Sequence, residues 1–148
     1  MNNYSEKVVE NFKTGYNCAQ SVFLAFAKDC GVEDDTALKL ASSFGGGMGR
    51  LREVCGAVTA MFAIAGLKKG YISVNNDDAK AEHYKLIQKL AEDFKVQHKT
   101  IICRELLGLP DGESDPTPSK RNEEYYQDRP CENFIRTAAI IIEKELLD

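Results

Sequence analysis

Five cysteines, Cys18, Cys30, Cys55, Cys103 and Cys131, are the residues of this chain best suited to chemistry. A thiolate is a nucleophile, a partner in disulfide exchange and a soft metal ligand. No CxxC pair is present, so spacing supplies neither a thioredoxin-type motif nor a zinc-ribbon knuckle. Local position says more. Cys18 follows Asn17, a good helix N-cap, and Cys131 follows Pro130, which suits a first helical turn. Cys55 falls within the first turn or two of a helix that follows a glycine loop. Unpaired N–H groups and the helix dipole at such starts favour a thiolate, which raises redox reactivity and metal affinity together. Cys103 is expected near a helix end, with Arg104 beside it. Cys30 stands apart. On a straight helix it lies about 18 Å from Cys18, beyond disulfide reach, and it reads as a buried small hydrophobe or a surface thiol.

Two chemistries follow. In the first, low-pKa thiolates exchange electrons with a partner protein, a small thiol or an oxidant, and Cys18 and Cys55 are the expected reactive thiols because Ala19, Gly56 and Ala57 leave room beside them. In the second, the thiolates of Cys18, Cys55, Cys103 and Cys131 hold a metal ion such as zinc, or an iron–sulfur cluster. The stretch "FGGGMGR" serves either one. Gly45, Gly46, Gly47 and Gly49 let the backbone come close to a thiol site or a cofactor and offer N–H groups to sulfur. It is no P-loop, since Gly-Lys-Ser/Thr is missing and no strand precedes it; phosphate binding by Arg50, Arg52 and the loop amides is a lesser candidate. A helical binding module with structural cysteines is the bland alternative. His83 reads as a core or boundary histidine, and His98 lies about 140° round a helix from Cys103 and makes no ready chelating pair.

The elements that must position these residues read as helices throughout. Ser5 is a plausible cap for a first helix that stops at Gly15, and Asn17 for a second that runs to Gly31. A third, shorter helix has Asp35 or Asp34 as its expected cap. The fourth, "REVCGAVTAMFAIAGL", is apolar nearly all round and should be the central one. A long helix from about 75 splits near His98 and has Ala79, His83, Leu86, Ile87, Leu90 and Phe94 on its inward stripe. A polar loop at about 109–128 holds three of the four prolines, with Pro130 just beyond it, and Tyr125 and Tyr126 in it could cover a pocket. The last helix is capped near Asp128. The fold class is all-α, a compact bundle of about six helices, in one domain spanning 1–148.

Composition narrows the partners. The net charge of −4 supplies no basic excess for nucleic acid. The longest apolar run, 55–67, is too short to span a bilayer, and no secretory signal opens the chain. A cytoplasmic protein without static disulfides is expected. A dimer surface fits a domain of this size, though no residue pattern locates it.

At "NCAQSVFLAF", "FGGGMGR", "EVCGAVTA", "CRELLG" and "PCENFI" the chain resembles the C_GCAxxG_C_C family of small redox-active proteins, which have four characteristic cysteines and a CGAxxG motif. The resemblance covers nearly the whole chain. It implies that Cys18, Cys55, Cys103 and Cys131 are the characteristic four and that Cys30 is extra. It also implies a redox role, as thiol oxidoreductase or electron carrier, and a functional link to a transporter. One departure is Ala60, where the motif has its last glycine; alanine should relax the close packing there only slightly.

Overall fold

The computed structural model describes residues 3–110, 115–118, 120, 121 and 130–147. Among them are six helices of two turns or more: α1 (Tyr4–Thr14), α2 (Cys18–Phe26), α3 (Asp34–Ala41), α4 (Gly56–Lys69), α5 (Asp77–His98) and α6 (Cys131–Leu146). No strand is present among the described residues; one isolated antiparallel bridge joins Val54 and Ile102. The all-α expectation holds.

Local chemistry accounts for most of the boundaries. Asn3, not Ser5, caps α1 by accepting a hydrogen bond from the Glu6 amide at 3.1 Å, and Gly15 ends it at φ 125°. Asn17 and Gln20 form a reciprocal capping box at the start of α2. This helix stops at Phe26, earlier than expected, and a 3₁₀ turn (Lys28–Cys30) carries the chain to the left-handed Gly31. α3 begins at Asp34 with Glu33 as its N-cap, so the two aspartates expected to cap it lie in its first turn instead. α5 ends at His98, where Lys99 turns left-handed at φ 74°, which is the split expected there.

α4 packs against α2, α5 and α6, and α1 packs against α2 and α6. Ala57, Val58, Ala60, Met61, Ile64 and Ala65 of α4 are all essentially sealed from solvent, as its all-round apolar pattern requires. The α5 stripe is buried less than expected. Leu90 and Phe94 are sealed, whereas Ala79, His83, Leu86 and Ile87 are only half-buried, because the first turns of α5 run beyond the core. His83 stacks edge-on to Tyr71, and its buried Nδ1 has no hydrogen-bond partner among the described residues. Of the polar loop, Tyr125, Tyr126 and Asp128 lie outside the described residues; Pro130 stands at the N-cap of α6. Among the described residues no helix is long and apolar enough to cross a membrane.

Candidate functional site

The glycine stretch folds into something L-residues rarely make. Gly46, Gly47, Met48, Gly49 and Arg50 have φ of 66°, 68°, 69°, 61° and 68°, a continuous left-handed turn. Each non-glycine residue in that region costs about 1–2 kcal/mol, so Met48, Arg50 and the nearby Arg52 (φ 64°) are held there by their surroundings. Backbone bonds do part of the holding: the amides of Arg50, Arg52 and Glu53 donate to the carbonyls of Gly45, Gly46 and Gly47 at 3.2, 3.3 and 2.9 Å. Glycine is required at Gly47 for a second reason. A Cβ there would stand 2.5 Å from the Cβ of Cys103 and 2.9 Å from the Glu53 nitrogen.

The turn delivers the chain to a short antiparallel stitch. The Cys55 amide donates to Ile101 O at 2.8 Å, and the Cys103 amide donates to Glu53 O at 2.6 Å. Cys55 and Cys103, far apart in sequence, are thereby carried on the two arms of one bridge, Cys55 across from Ile101 and Cys103 across from Glu53. Cys18 joins them from α2. A Cβ on Gly56 would meet the Cys18 Sγ at 2.6 Å and Phe44 O at 2.7 Å, so only glycine lets this sulfur rest on the start of α4. Cys131 opens α6.

All four thiols open helical segments. Cys18 and Cys131 are first residues of α2 and α6, and Cys55 is the N-cap of α4. The fourth helix was expected to begin near Arg52; it begins at Gly56 because the backbone at Arg52 is left-handed. Cys103 was expected near a helix end. It instead starts a one-turn helix of its own, Cys103–Leu106. The four line one cavity of about 280 Å³. Gly45, Gly46 and Gly49 also line it, with Gly47 buried behind Cys103. Cys30 lies outside it. No disulfide joins Cys18, Cys30, Cys55 or Cys103.

Electrostatics runs against one expectation. The amides of Gly46, Ala19 and Gly56 face the Cys18 sulfur, and those of Ala57 and Val58 face Cys55. These N–H groups favour a thiolate, but burial favours the thiol, and burial wins at both positions. Burial first, and then a charge on Cys103, pushes Cys18 up from the ordinary thiol range. Cys55 is pushed well above it, by burial and then by charge on Cys18 and Cys131. The expectation that Cys18 and Cys55 are low-pKa thiols is therefore corrected. A helix start is legible locally, whereas desolvation is a property of the packed whole.

Cys103 has a different neighbour. Arg52 Nη1 donates to its Sγ at 3.6 Å, close to the limit for a bond to sulfur. The sequence pointed to Arg104 as its companion, but Arg104 turns outward and bonds the Pro110 carbonyl. Arg121, missed entirely, donates to the carbonyls of Phe12 and Tyr16, both at 3.0 Å, and places its charge at the cavity wall. No spacing rule connects it to the cysteines. Among the described residues, no three His, Cys, Asp or Glu side chains stand in an arrangement that would hold a metal ion. His98 bonds Thr137 at 2.8 Å and packs against Phe94 and Phe134, away from Cys103 chemistry. Glu53 is exposed.

A family model described as "Putative redox-active protein (C_GCAxxG_C_C)" matches residues 16–145 of this chain. No curated protein and no solved structure matches it.

Proposed function

The chain belongs to the C_GCAxxG_C_C family, and from that premise and the geometry of the cavity we propose that it is a dithiol–disulfide redox protein whose exchange runs through Cys103 and Cys18. One observation carries the reading: thiols from four separate helical segments line a single cavity, held there by glycines whose replacement would strike them. Cys103 is the sulfur assigned to meet the substrate, because Arg52 Nη1 donates a hydrogen bond to it. Cys18 is the resolving sulfur; it lies near enough for charge on Cys103 to raise it. Cys55 and Cys131 line the same cavity and form a second pair of thiols, whose charges act on one another.

The chemistry balances with a disulfide RS–SR as oxidant. The Cys103 thiolate attacks one sulfur, the RS–SR bond breaks, and RS⁻ leaves and takes up a proton. Cys18 then loses its proton and attacks the Cys103 sulfur of the mixed disulfide, expelling the second RS⁻. The protein gains one disulfide and the substrate becomes two thiols.

Redox titration with alkylation and mass spectrometry tests it. Oxidation should close a disulfide between Cys103 and Cys18 and leave Cys30 alkylatable. If all four thiols stay reduced under an oxidising glutathione buffer, the reading is overturned. Anaerobic purification with a stoichiometric metal or cluster that masks the same four thiols would overturn it in favour of metal binding.

A further inference from the structure

Contacts around the cavity link its cysteines as a row of neighbours. The glycine turn makes the first link. The Gly46 amide faces the Cys18 sulfur. The next residue, Gly47, packs so closely on Cys103 that a Cβ there would stand 2.5 Å from the Cys103 Cβ. Two consecutive residues thus hold Cys18 and Cys103. The start of α4 makes the second link. The Cys18 sulfur rests on Gly56, where a Cβ would meet it at 2.6 Å, and Gly56 directly follows Cys55. Cys131 supplies the third. It lines the same cavity from the start of α6, a helix packed on α4. Electrostatics follows the same order: charge on Cys103 acts on Cys18, and charges on Cys18 and Cys131 act on Cys55.

Cys18 therefore neighbours both Cys103 and Cys55, and Cys55 neighbours both Cys18 and Cys131. A sulfur with two such neighbours can close a disulfide with one and hand it to the other. We infer that the four cysteines form a thiol relay, in which a disulfide closed between Cys103 and Cys18 passes to Cys55 and Cys131, so that one protein reduces two substrate disulfides. The inference deepens the dithiol reading and rests on it for the first disulfide. In the first transfer Cys55 loses its proton and attacks the Cys18 sulfur. The Cys103–Cys18 bond breaks, and Cys103 leaves as a thiolate and takes up a proton. Cys131 then loses its proton and attacks the Cys55 sulfur, which frees Cys18 in the same way. No electrons enter or leave in these two steps. Cys103 and Cys18 are reduced again and meet a second RS–SR. In sum, four protein thiols and two RS–SR give two protein disulfides and four RSH. Burial keeps Cys55 well above the ordinary thiol range, so its thiolate is scarce and its attack is the slow step.

A chase with limited oxidant tests the relay. The reduced native protein receives one equivalent of bis(2-hydroxyethyl) disulfide without air. Samples are quenched over time with acid and N-ethylmaleimide and mapped by mass spectrometry. The Cys103–Cys18 disulfide should appear first and then decay, with no further oxidant, as Cys55–Cys131 grows. With excess oxidant the maleimides bound should fall from five to three, and then more slowly to one, carried by Cys30. Cys131→Ser should trap the disulfide on Cys18 and Cys55, a pair that is only transient in the native protein. If that variant fails to fold, the chase on the native protein still decides. A first disulfide that stays on Cys103 and Cys18, or a Cys55–Cys131 disulfide that closes only when more oxidant is added, would overturn the relay and leave dithiol exchange standing. If Cys103 and Cys18 never pair, the dithiol reading itself falls.

Discussion

Helix α2 and the turn after it present two thiols in contrasting settings. At the start of α2, Cys18 sits among the left-handed glycine turn, the first residues of α4 and a cavity lined by arginine. Past its end, Cys30 sits in a 3₁₀ turn closed by Gly31, with Lys68 and Asp29 as its charged neighbours. Burial raises both thiols from the ordinary range. Burial therefore does not distinguish a candidate site from an incidental cysteine. What differs is convergence: at one end four segments start together and glycine lets them touch, and at the other end one segment simply turns.

Glycine gives the largest test of that difference. Gly47 and Gly31 share nearly the same left-handed φ, 68° and 70°. A Cβ on Gly31 meets nothing within 4 Å, while one on Gly47 meets Cys103 and the backbone at Glu53. Gly31→Ala should cost the conformational strain alone, about 1 kcal/mol. Gly47→Ala should add overpacking to strain, at least about 3 kcal/mol in all. Urea denaturation of the reduced proteins measures both. Equal losses would mean that close approach at the thiol end is not what Gly47 provides.

The next effect is a pH dependence of stability. A thiol whose folded pKa lies above its unfolded value stabilises the folded state fully below the unfolded value, about 8.5. Above that pH the unfolded chain releases its protons first, so stability falls with rising pH until the folded pKa is reached. Cys18, Cys30 and Cys55 all contribute with this sign, Cys55 over the widest window. The slope is up to about 1.4 kcal/mol per pH unit for each thiol. Denaturant midpoints of the reduced protein should drop between pH 8.5 and 10, and Cys55→Ala should flatten the drop more than Cys30→Ser. A flat profile would remove the claim that desolvation outweighs the amides at Cys18 and Cys55.

The helices were legible because their signals are local. Asn17 and Gln20 cap α2 with atoms three residues apart, and the unbroken apolar run of α4 announces a central helix. The glycine density at 45–49 announced unusual backbone. That Met48, Arg50 and Arg52 would join the glycines in left-handed conformations was hidden, since propensity argues against each of them. Hidden too was the bridge between Val54 and Ile102 that ties the segments carrying Cys55 and Cys103 together, because the pattern around it reads as helix. Arg121 reaches Phe12 and Tyr16 across most of the chain, and a single sequence carries no trace of such a contact.

The smallest effect belongs to Cys30, and its smallness is what makes it useful. The residue is half-buried against the edge of the core, so Cys30→Ser exchanges a sulfur for a hydroxyl where water is within reach. The loss should stay within about 1 kcal/mol, as for other substitutions away from the core's sealed interior. The number of electrons taken up on reduction should not change at all, because Cys30 lies outside the cavity that the other four share. Coulometric titration of Cys30→Ser beside the native protein measures this. A loss of electrons in the variant would bring Cys30 into the exchange and abolish the distinction between the two ends of α2. An unchanged count confines the redox chemistry to the thiols at the helix starts.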